Sequence, residues 1–180
     1  MGSAVTGFVG PIPARAGAVD AGLDAGVLTR LDRWWELARA ATGPVPAADP
    51  RRPAWRLIVA AGVFAAGPVA GVLRLGRDRL GRTGPFLLMR GGEPPVPCDP
   101  WFAAAEAVAR EATDGLLGLG GLAAAAAALP TPRATAPPDT AALLWRDDWE
   151  VHELRLERAA DLARFPVAAL GWDGGEEAAA

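Results

Sequence analysis

The sequence predicts an α/β fold, a layered sandwich in which a central mixed β-sheet is flanked by helices. Apolar runs of strand length alternate along the chain with amphipathic segments of helix length. Prolines and glycines separate these segments. The 180 residues are 51% apolar, which is enough for one core. We therefore expect four to six strands and three to four helices in a single domain over residues 1–173, with residues 174–180 as a disordered tail.

The N-terminal segments predict a strand, an extended stretch and a helix. Residues 5–9 are apolar and end before a Gly-Pro pair, which is typical of a short strand. Residues 11–15 contain two prolines and should be extended, because a residue before proline avoids the helical region. Asp24 then precedes a segment whose apolar residues recur every three or four positions, so we expect it to cap an amphipathic helix. The prolines of residues 42–53 end that helix.

The next apolar runs predict three neighbouring strands. Residues 55–61 and the run that begins at Gly71 are separated by a short turn that contains glycine and proline, which favours a hairpin, and residues 86–90 supply the third strand. Between the second and third strands, residues 77–82 carry four formal charges in six positions. We call this segment the arginine loop. Loops on a rigid scaffold often carry function, so it is the first candidate functional element.

The C-terminal half begins with a helix start signal. Asp99 is followed by Pro100, which favours an N-cap and a first helical residue, and the apolar periodicity continues to about Thr113. The remaining predicted elements are an apolar helix over 115–129, a mobile proline-rich loop over 130–140, a strand over 141–145 and a final helix over 159–170.

Composition excludes several functional classes. The net charge of -3 and a pI near 5.2 argue against nucleic-acid binding, which needs a basic face. Cys98 and His152 are the only residues of their types, so neither a disulfide nor a metal site is predicted. A chain without lysine has no phosphate-binding P-loop, and no cofactor is expected. The long uncharged run at 115–132 is mostly glycine and alanine, so we expect no membrane insertion and a cytoplasmic protein.

The arginine loop is consistent with two roles. In the first role, Arg77, Arg79 and Arg82 present guanidinium groups to an acidic or phosphorylated partner. In the second role, Asp78 pairs with one of these arginines inside the loop, and glycines such as Gly81 allow a positive φ. The two roles are compatible if they fall on different arginines.

Four motifs occur along the chain in a fixed order. They are Gly7-Phe8-Val9-Gly10-Pro11-Ile12-Pro13-Ala14-Arg15, then Leu31-Asp32-Arg33-Trp34, then Pro53-Ala54-Trp55-Arg56-Leu57, then Gly71-Val72 with Asp78-Arg79-Leu80-Gly81-Arg82 and Pro85. Together they resemble the TagF family of type VI secretion accessory proteins. In addition to the residues of the arginine loop, the family pattern includes Gly10, Pro13, Arg15, Asp32, Trp34, Trp55 and Arg56. The chain departs from the pattern at Pro11, where the family has lysine, at Ala16-Gly17-Ala18 and at Thr83-Gly84.

The resemblance implies a cytoplasmic, non-catalytic protein that restrains type VI secretion after translation. Its implied partners are a forkhead-associated scaffold protein and a kinase and phosphatase pair. We expect Trp34 and Trp55 in the core, where large rings contribute most to burial.

The alternative hypothesis for the function is a small-molecule or phosphate-binding enzyme that uses the arginine loop as an anion clamp. It needs a general base near the loop, either His152 or a carboxylate.

Overall fold

A single seven-stranded antiparallel sheet with helices on both faces organises the computed structural model, which describes residues 6–42, 54–136, 142–146 and 151–154. The strands are β1 (Thr6–Pro11), β2 (Ala18–Ala21), β3 (Trp55–Val59), β4 (Val69–Arg77), β5 (Thr83–Gly91), β6 (Ala142–Trp145) and β7 (Val151–Leu154). The helices are α1 (Ala25–Thr42), α2 (Pro100–Thr113) and α3 (Leu119–Ala127). Across the sheet the strand order is β2-β1-β5-β4-β3-β6-β7. The predicted α/β sandwich is confirmed.

Both faces of the sheet are buried, because side chains alternate between two apolar clusters along the central strands. On β3, Leu57 and Val59 belong to the cluster that includes the apolar side of α1, whereas Ile58 belongs to the cluster that includes α2 and α3. β5 alternates in the same way. Central strands buried on both faces are expected to be almost continuously apolar, as these are.

The apolar cluster between the sheet and α1, which we call the α1 layer, contains the two tryptophans that the sequence assigns to the core, one on α1 and one on β3. Trp34 and Trp55 are only 2% and 3% exposed, so that assignment is confirmed. The Trp34 ring packs edge-on against Phe64, with 5.6 Å between ring centroids. Burial of such large rings makes this layer a major source of stability.

The pairing sense differs from the mixed sheet that the sequence suggested, because every described strand pair is antiparallel. Hairpins join β1 to β2, β3 to β4, β4 to β5 and β6 to β7. A short hairpin reverses the chain and therefore requires antiparallel neighbours. The predicted three-strand group is confirmed by the pairing of β3 with β4 and of β4 with β5. β2, which lies just after the stretch predicted to be extended, and β7 were not predicted.

Both predicted helix caps are present. Val27 N donates to Asp24 Oδ1 over 3.0 Å, and Trp101 N donates to Asp99 Oδ1 over 2.8 Å. The helix predicted over 115–129 is shorter, because Gly115 adopts a φ of +82° after α2 and α3 begins only at Leu119.

The second carboxylate oxygen of Asp99 connects the predicted 130–140 loop to the segment before α2. It accepts a hydrogen bond from Arg133 N at 2.9 Å, and Thr135 N donates to Pro94 O at 2.8 Å. These bonds fix residues 133–135 against the segment before α2. Residues 137–140, the predicted helix over 159–170 and the predicted tail lie outside the described residues, and mobility of the 130–140 loop stays a prediction. Within the described ranges, no helix is long and apolar enough to cross a membrane.

Candidate functional site

The arginine loop connects β4 to β5 and is built around one buried carboxylate. Arg77 and Thr83 are the last paired residues of the hairpin, and Asp78, the next residue, is 4% exposed. Its Oδ1 accepts hydrogen bonds from Leu80 N at 2.8 Å and from Arg82 N at 2.9 Å. An aspartate that bonds the backbone two residues ahead is typical of a tight turn. Asp78 therefore sets the shape of the loop.

The other oxygen of Asp78 joins the loop to the turn between β1 and β2. Oδ2 accepts from Gly17 N at 2.8 Å and from Arg82 Nε at 2.8 Å, and Arg82 Nη2 lies 2.7 Å away. A second tie is the bond from Arg79 N to Arg15 O at 2.7 Å. These contacts hold two loops together at one end of the sheet. Nothing local in the sequence indicates Gly17 as a partner.

The environment of Asp78 keeps it ionised. Burial alone would raise the pKa of Asp78, but the backbone N–H groups of Gly17, Arg82 and Leu80 and the guanidinium of Arg82 lower it well below its usual range. A carboxylate stabilised as an anion in this way is a weak proton acceptor. Asp78 is therefore suited to architecture and poorly suited to general-base catalysis.

The three loop arginines have different surroundings. Arg82 makes the ion pair with Asp78, although 63% of its side chain remains exposed. Arg77 and Arg79 are exposed and form no ion pair with another described residue. Arg82 and Asp78 therefore form the pair inside the loop. The guanidinium groups of Arg77 and Arg79 remain able to donate hydrogen bonds to a partner.

A cavity of about 430 Å³ lies beside the arginine loop, between α1 and the ends of β1 and β5. Its lining combines residues from three of the four sequence motifs: Gly10 and Pro11, then Leu31, Asp32 and Trp34, then Asp78, Arg82 and Pro85. Trp35 and Arg39 of α1 complete the helix side of the wall. The α1 hydrophobic periodicity predicts which face packs on the sheet, but it does not predict that Asp32 and Arg39 border a cavity.

The third motif lies elsewhere and holds the layers together. Trp55 is in the core, with the Arg146 guanidinium carbon 4.2 Å from its ring centroid. Arg56 Nη2 contacts Glu106 Oε2 on α2 at 2.9 Å, and both side chains are about 15% exposed or less. Their role is therefore to join the sheet to α2. Among the remaining motif residues, Pro13 is half-buried and Arg15 is exposed.

Arg74 is a buried charge that the sequence argument did not single out. It is 6% exposed on β4, and its Nη2 lies 4.0 Å from Asp114 Oδ1. Burial lowers the pKa of Arg74, and the nearby Asp114 and Glu106 carboxylates oppose that change. The one signal in the sequence is an arginine inside an apolar strand.

His152 is not brought to the arginine loop. In the sheet, His152 on β7 lies in one register row with Leu144 on β6, Leu57 on β3 and Gly71 on β4. That position on β4 is six residues before Arg77, and β7 is three strands away from β4. At about 3.3 Å per residue and 4.8 Å per strand, the two backbones are roughly 20 Å or more apart. In the part of the chain that the structure describes, no three His, Cys, Asp or Glu residues are grouped as metal ligands.

Gly81 is expected to be required for the backbone of the loop. Its φ is +82°, and a Cβ there would contact nothing within 4 Å. Gly81→Ala should therefore lower the free energy of unfolding by about 1–2 kcal/mol through backbone strain alone. Urea denaturation measures this change.

Gly120→Ala in α3 is the matched control. A Cβ at Gly120 would also contact nothing, but the backbone there is helical. Because alanine is the better helix former, the control should raise stability by up to about 1 kcal/mol. Equal effects of the two substitutions would contradict the assigned role of Gly81.

Comparison with solved structures shows a likeness in fold. No protein-family model matches the chain, and no curated protein sequence matches it. The structure is similar to the crystal structure of PA0076 from Pseudomonas aeruginosa PAO1 at 2.05 Å resolution, with a TM-score of 0.66 and 18% sequence identity over 97% of each chain. At this identity, the likeness establishes a shared fold over nearly the whole length.

Proposed function

We propose that this chain is a non-catalytic accessory protein of type VI secretion that acts in the cytoplasm as a negative regulator after translation. It acts by contact with a forkhead-associated scaffold protein. The observation that carries the proposal is the shared cavity: three motifs that resemble the TagF family, far apart in sequence, contribute to one wall. A common contact surface explains this convergence more simply than separate structural roles do.

The composition of the cavity wall favours recognition of a protein. Trp35 is half-buried, and Arg39 and Arg82 are exposed, so each offers a surface to a partner. Tryptophan and arginine are the residue types that contribute most often to the energetic centre of protein interfaces. Asp78 also lines the cavity, but its carboxylate is already bonded to Gly17 N and Arg82 N, so it stabilises the shape of the wall.

A second candidate function is the anion-clamp enzyme. The cavity beside the loop favours it, because the exposed Asp32 and Arg82 both line the cavity. However, Arg82 is already paired with Asp78, and Arg77 and Arg79 are not among the lining residues. Calorimetric titration with inorganic phosphate separates the two functions. We expect no saturable binding at millimolar phosphate, and binding that Arg82→Ala abolishes would favour the enzyme.

Deletion of the gene in its host tests the proposal. A regulator that restrains secretion after translation should, when absent, increase the tube protein in the culture medium severalfold while the intracellular amount of tube transcript stays constant. Immunoblots of medium and cells, with transcript measurements, make this comparison. Plasmid-encoded wild-type protein should restore the low level. Unchanged or reduced secretion after deletion would contradict the proposed function.

A further inference from the structure

An exposed basic and apolar surface lies at the end of the sheet that carries the arginine loop. It consists of Arg15, Arg77, Arg79 and Leu80, and we call it the tip surface. The hydrogen bond from Arg79 N to Arg15 O brings the arginine loop against the turn between β1 and β2. The three arginines are exposed and form no ion pair with another described residue, and 64% of Leu80 is exposed.

The positive charge of the tip surface is local. The whole chain carries a net charge of -3, so the basic character is not a general property of its surface. The acidic residue at the centre of the loop, Asp78, is buried and already neutralised by Arg82. It therefore does not compensate Arg15, Arg77 and Arg79. Charge complementarity points to an anionic partner.

The same end of the molecule presents a second exposed apolar side chain. Gly115 packs against Pro13, since a Cβ added there would lie 3.4 Å from the proline Cβ. Leu116, the next residue, is 74% exposed. Leu80 and Leu116 are the two most exposed large apolar residues of the described chain. A partner that covers both leucines therefore has to offer apolar contacts.

We infer that the tip surface binds an acidic protein segment, one with several aspartate or glutamate side chains and at least one apolar residue to cover Leu80. The inference rests on the proposed function and specifies the chemistry of the partner. The three cations are spread over two loops, which suits a row of single carboxylates better than one concentrated phosphate. Arginine binds carboxylates in a bidentate manner, and this gives geometric specificity.

The shape and rigidity of this end favour a protein segment over a membrane. A protein segment that covers the tip surface can also place a side chain in the neighbouring concave cavity, which Arg82 lines, whereas a flat bilayer cannot. The loop is already ordered by the bonds to Asp78, including the one from Leu80 N. A preordered loop loses little conformational entropy when it binds.

The experiment compares two double variants with equal net charge. Arg77→Glu/Arg79→Glu reverses the tip surface, and Arg33→Glu/Arg133→Glu reverses two exposed arginines elsewhere. The probes are fluorescent twelve-residue peptides measured by anisotropy: an acidic peptide with a central leucine, the same peptide with serine at that place, and a phosphoserine version. Vesicles of phosphatidylserine and a double-stranded oligonucleotide are the other probes. Circular dichroism checks the fold of each variant.

We expect the acidic leucine peptide to bind the wild type. Its affinity should fall at least tenfold for Arg77→Glu/Arg79→Glu and change less than twofold for the control pair. Binding should weaken as salt rises, because screening reduces contacts between exposed charges. Leu80→Ser should lower the affinity for the leucine peptide and leave the affinity for the serine peptide unchanged. Equal binding by the two double variants, or a preference for phosphoserine peptide, vesicles or oligonucleotide, would overturn the inference.

A pulldown of the purified forkhead-associated scaffold separates this inference from the proposed function. If the wild type and the tip variant capture the scaffold equally, the tip surface is not the interface and the proposed function stands. If the wild type captures no scaffold but binds the acidic leucine peptide, the proposed function fails and the inferred chemistry of the tip surface stands.

Discussion

Replacing Asp78 with alanine is expected to lower the melting temperature by more than about 5 °C. The substitution removes the acceptor of three backbone N–H groups, those of Gly17, Leu80 and Arg82, and of the Arg82 guanidinium. Donors that lose their only protein acceptor at a poorly solvated site are costly. Asp78→Asn should have a smaller effect, because its amide keeps one acceptor oxygen. Thermal unfolding followed by circular dichroism measures both.

Two controls separate this effect from the loss of a charge. Asp20→Ala removes an exposed carboxylate on β2 and should leave the melting temperature nearly unchanged. Arg82→Ala should cost less than Asp78→Ala, because 63% of the Arg82 side chain is in solvent and the three backbone bonds to Asp78 remain. Melting of Asp78→Ala at the wild-type temperature would contradict the architectural role of the loop.

The same carboxylate should make stability depend on acidic pH. The pKa of Asp78 is lower in the folded protein than in the unfolded chain, where it is about 3.9. Its contribution is therefore fully present above the unfolded value and is lost as pH falls toward the folded value. The difference in melting temperature between the wild type and Asp78→Asn should be constant above about pH 5 and shrink below about pH 4. A difference that stays constant to the lowest pH at which both fold would refute this.

Gly10→Ala is expected to lower the free energy of unfolding by about 3 kcal/mol or more. The φ of Gly10 is +139°, a region that L-residues rarely adopt. An added Cβ would overlap the Pro85 carbonyl oxygen and lie 2.6 Å from Phe86 Cα. Both neighbours are backbone atoms of β5, so no side-chain rotation relieves the overlap. Because Gly10 and Pro85 line the cavity, the shape of the cavity should change as well.

Urea denaturation of Gly10→Ala tests this close approach, with Gly91→Ala as the matched control. Gly91 also belongs to a hairpin strand, but a Cβ there would contact nothing within 4 Å. The control should change stability by less than about 1 kcal/mol. A Gly10→Ala protein as stable as the control would show that β1 and β5 can separate locally without cost.

Local signals predicted much of the fold. Asp24 and Asp99 cap their helices as expected, because capping depends on residues within one turn. Trp34 is buried as predicted, since the apolar periodicity of α1 defines its inner face. The hairpin around the arginine loop was also predicted, because dense charge and glycine between two apolar runs indicate a connection.

The contacts that build the candidate site depend on distant residues and were not predicted. Gly17 donates to Asp78 across 61 positions, and no local pattern encodes that pair. β2 is four residues long and half of its positions are exposed, so it has no apolar run to detect. The sequence also did not predict which arginine pairs with Asp78. Arg77 and Arg79 are its neighbours in the chain, but Arg82, four residues away, forms the ion pair.

Secretion by a strain that lacks the gene and carries plasmid-encoded variants tests whether this protein acts through the tip surface. The variants are the wild type, Arg77→Glu/Arg79→Glu and the charge-matched Arg33→Glu/Arg133→Glu, expressed at equal levels. We expect the wild type and the control pair to return extracellular tube protein to the low level, and the tip variant to leave it high. A tip variant that restrains secretion as well as the wild type would contradict the claim that this protein acts through Arg77 and Arg79 of the tip surface.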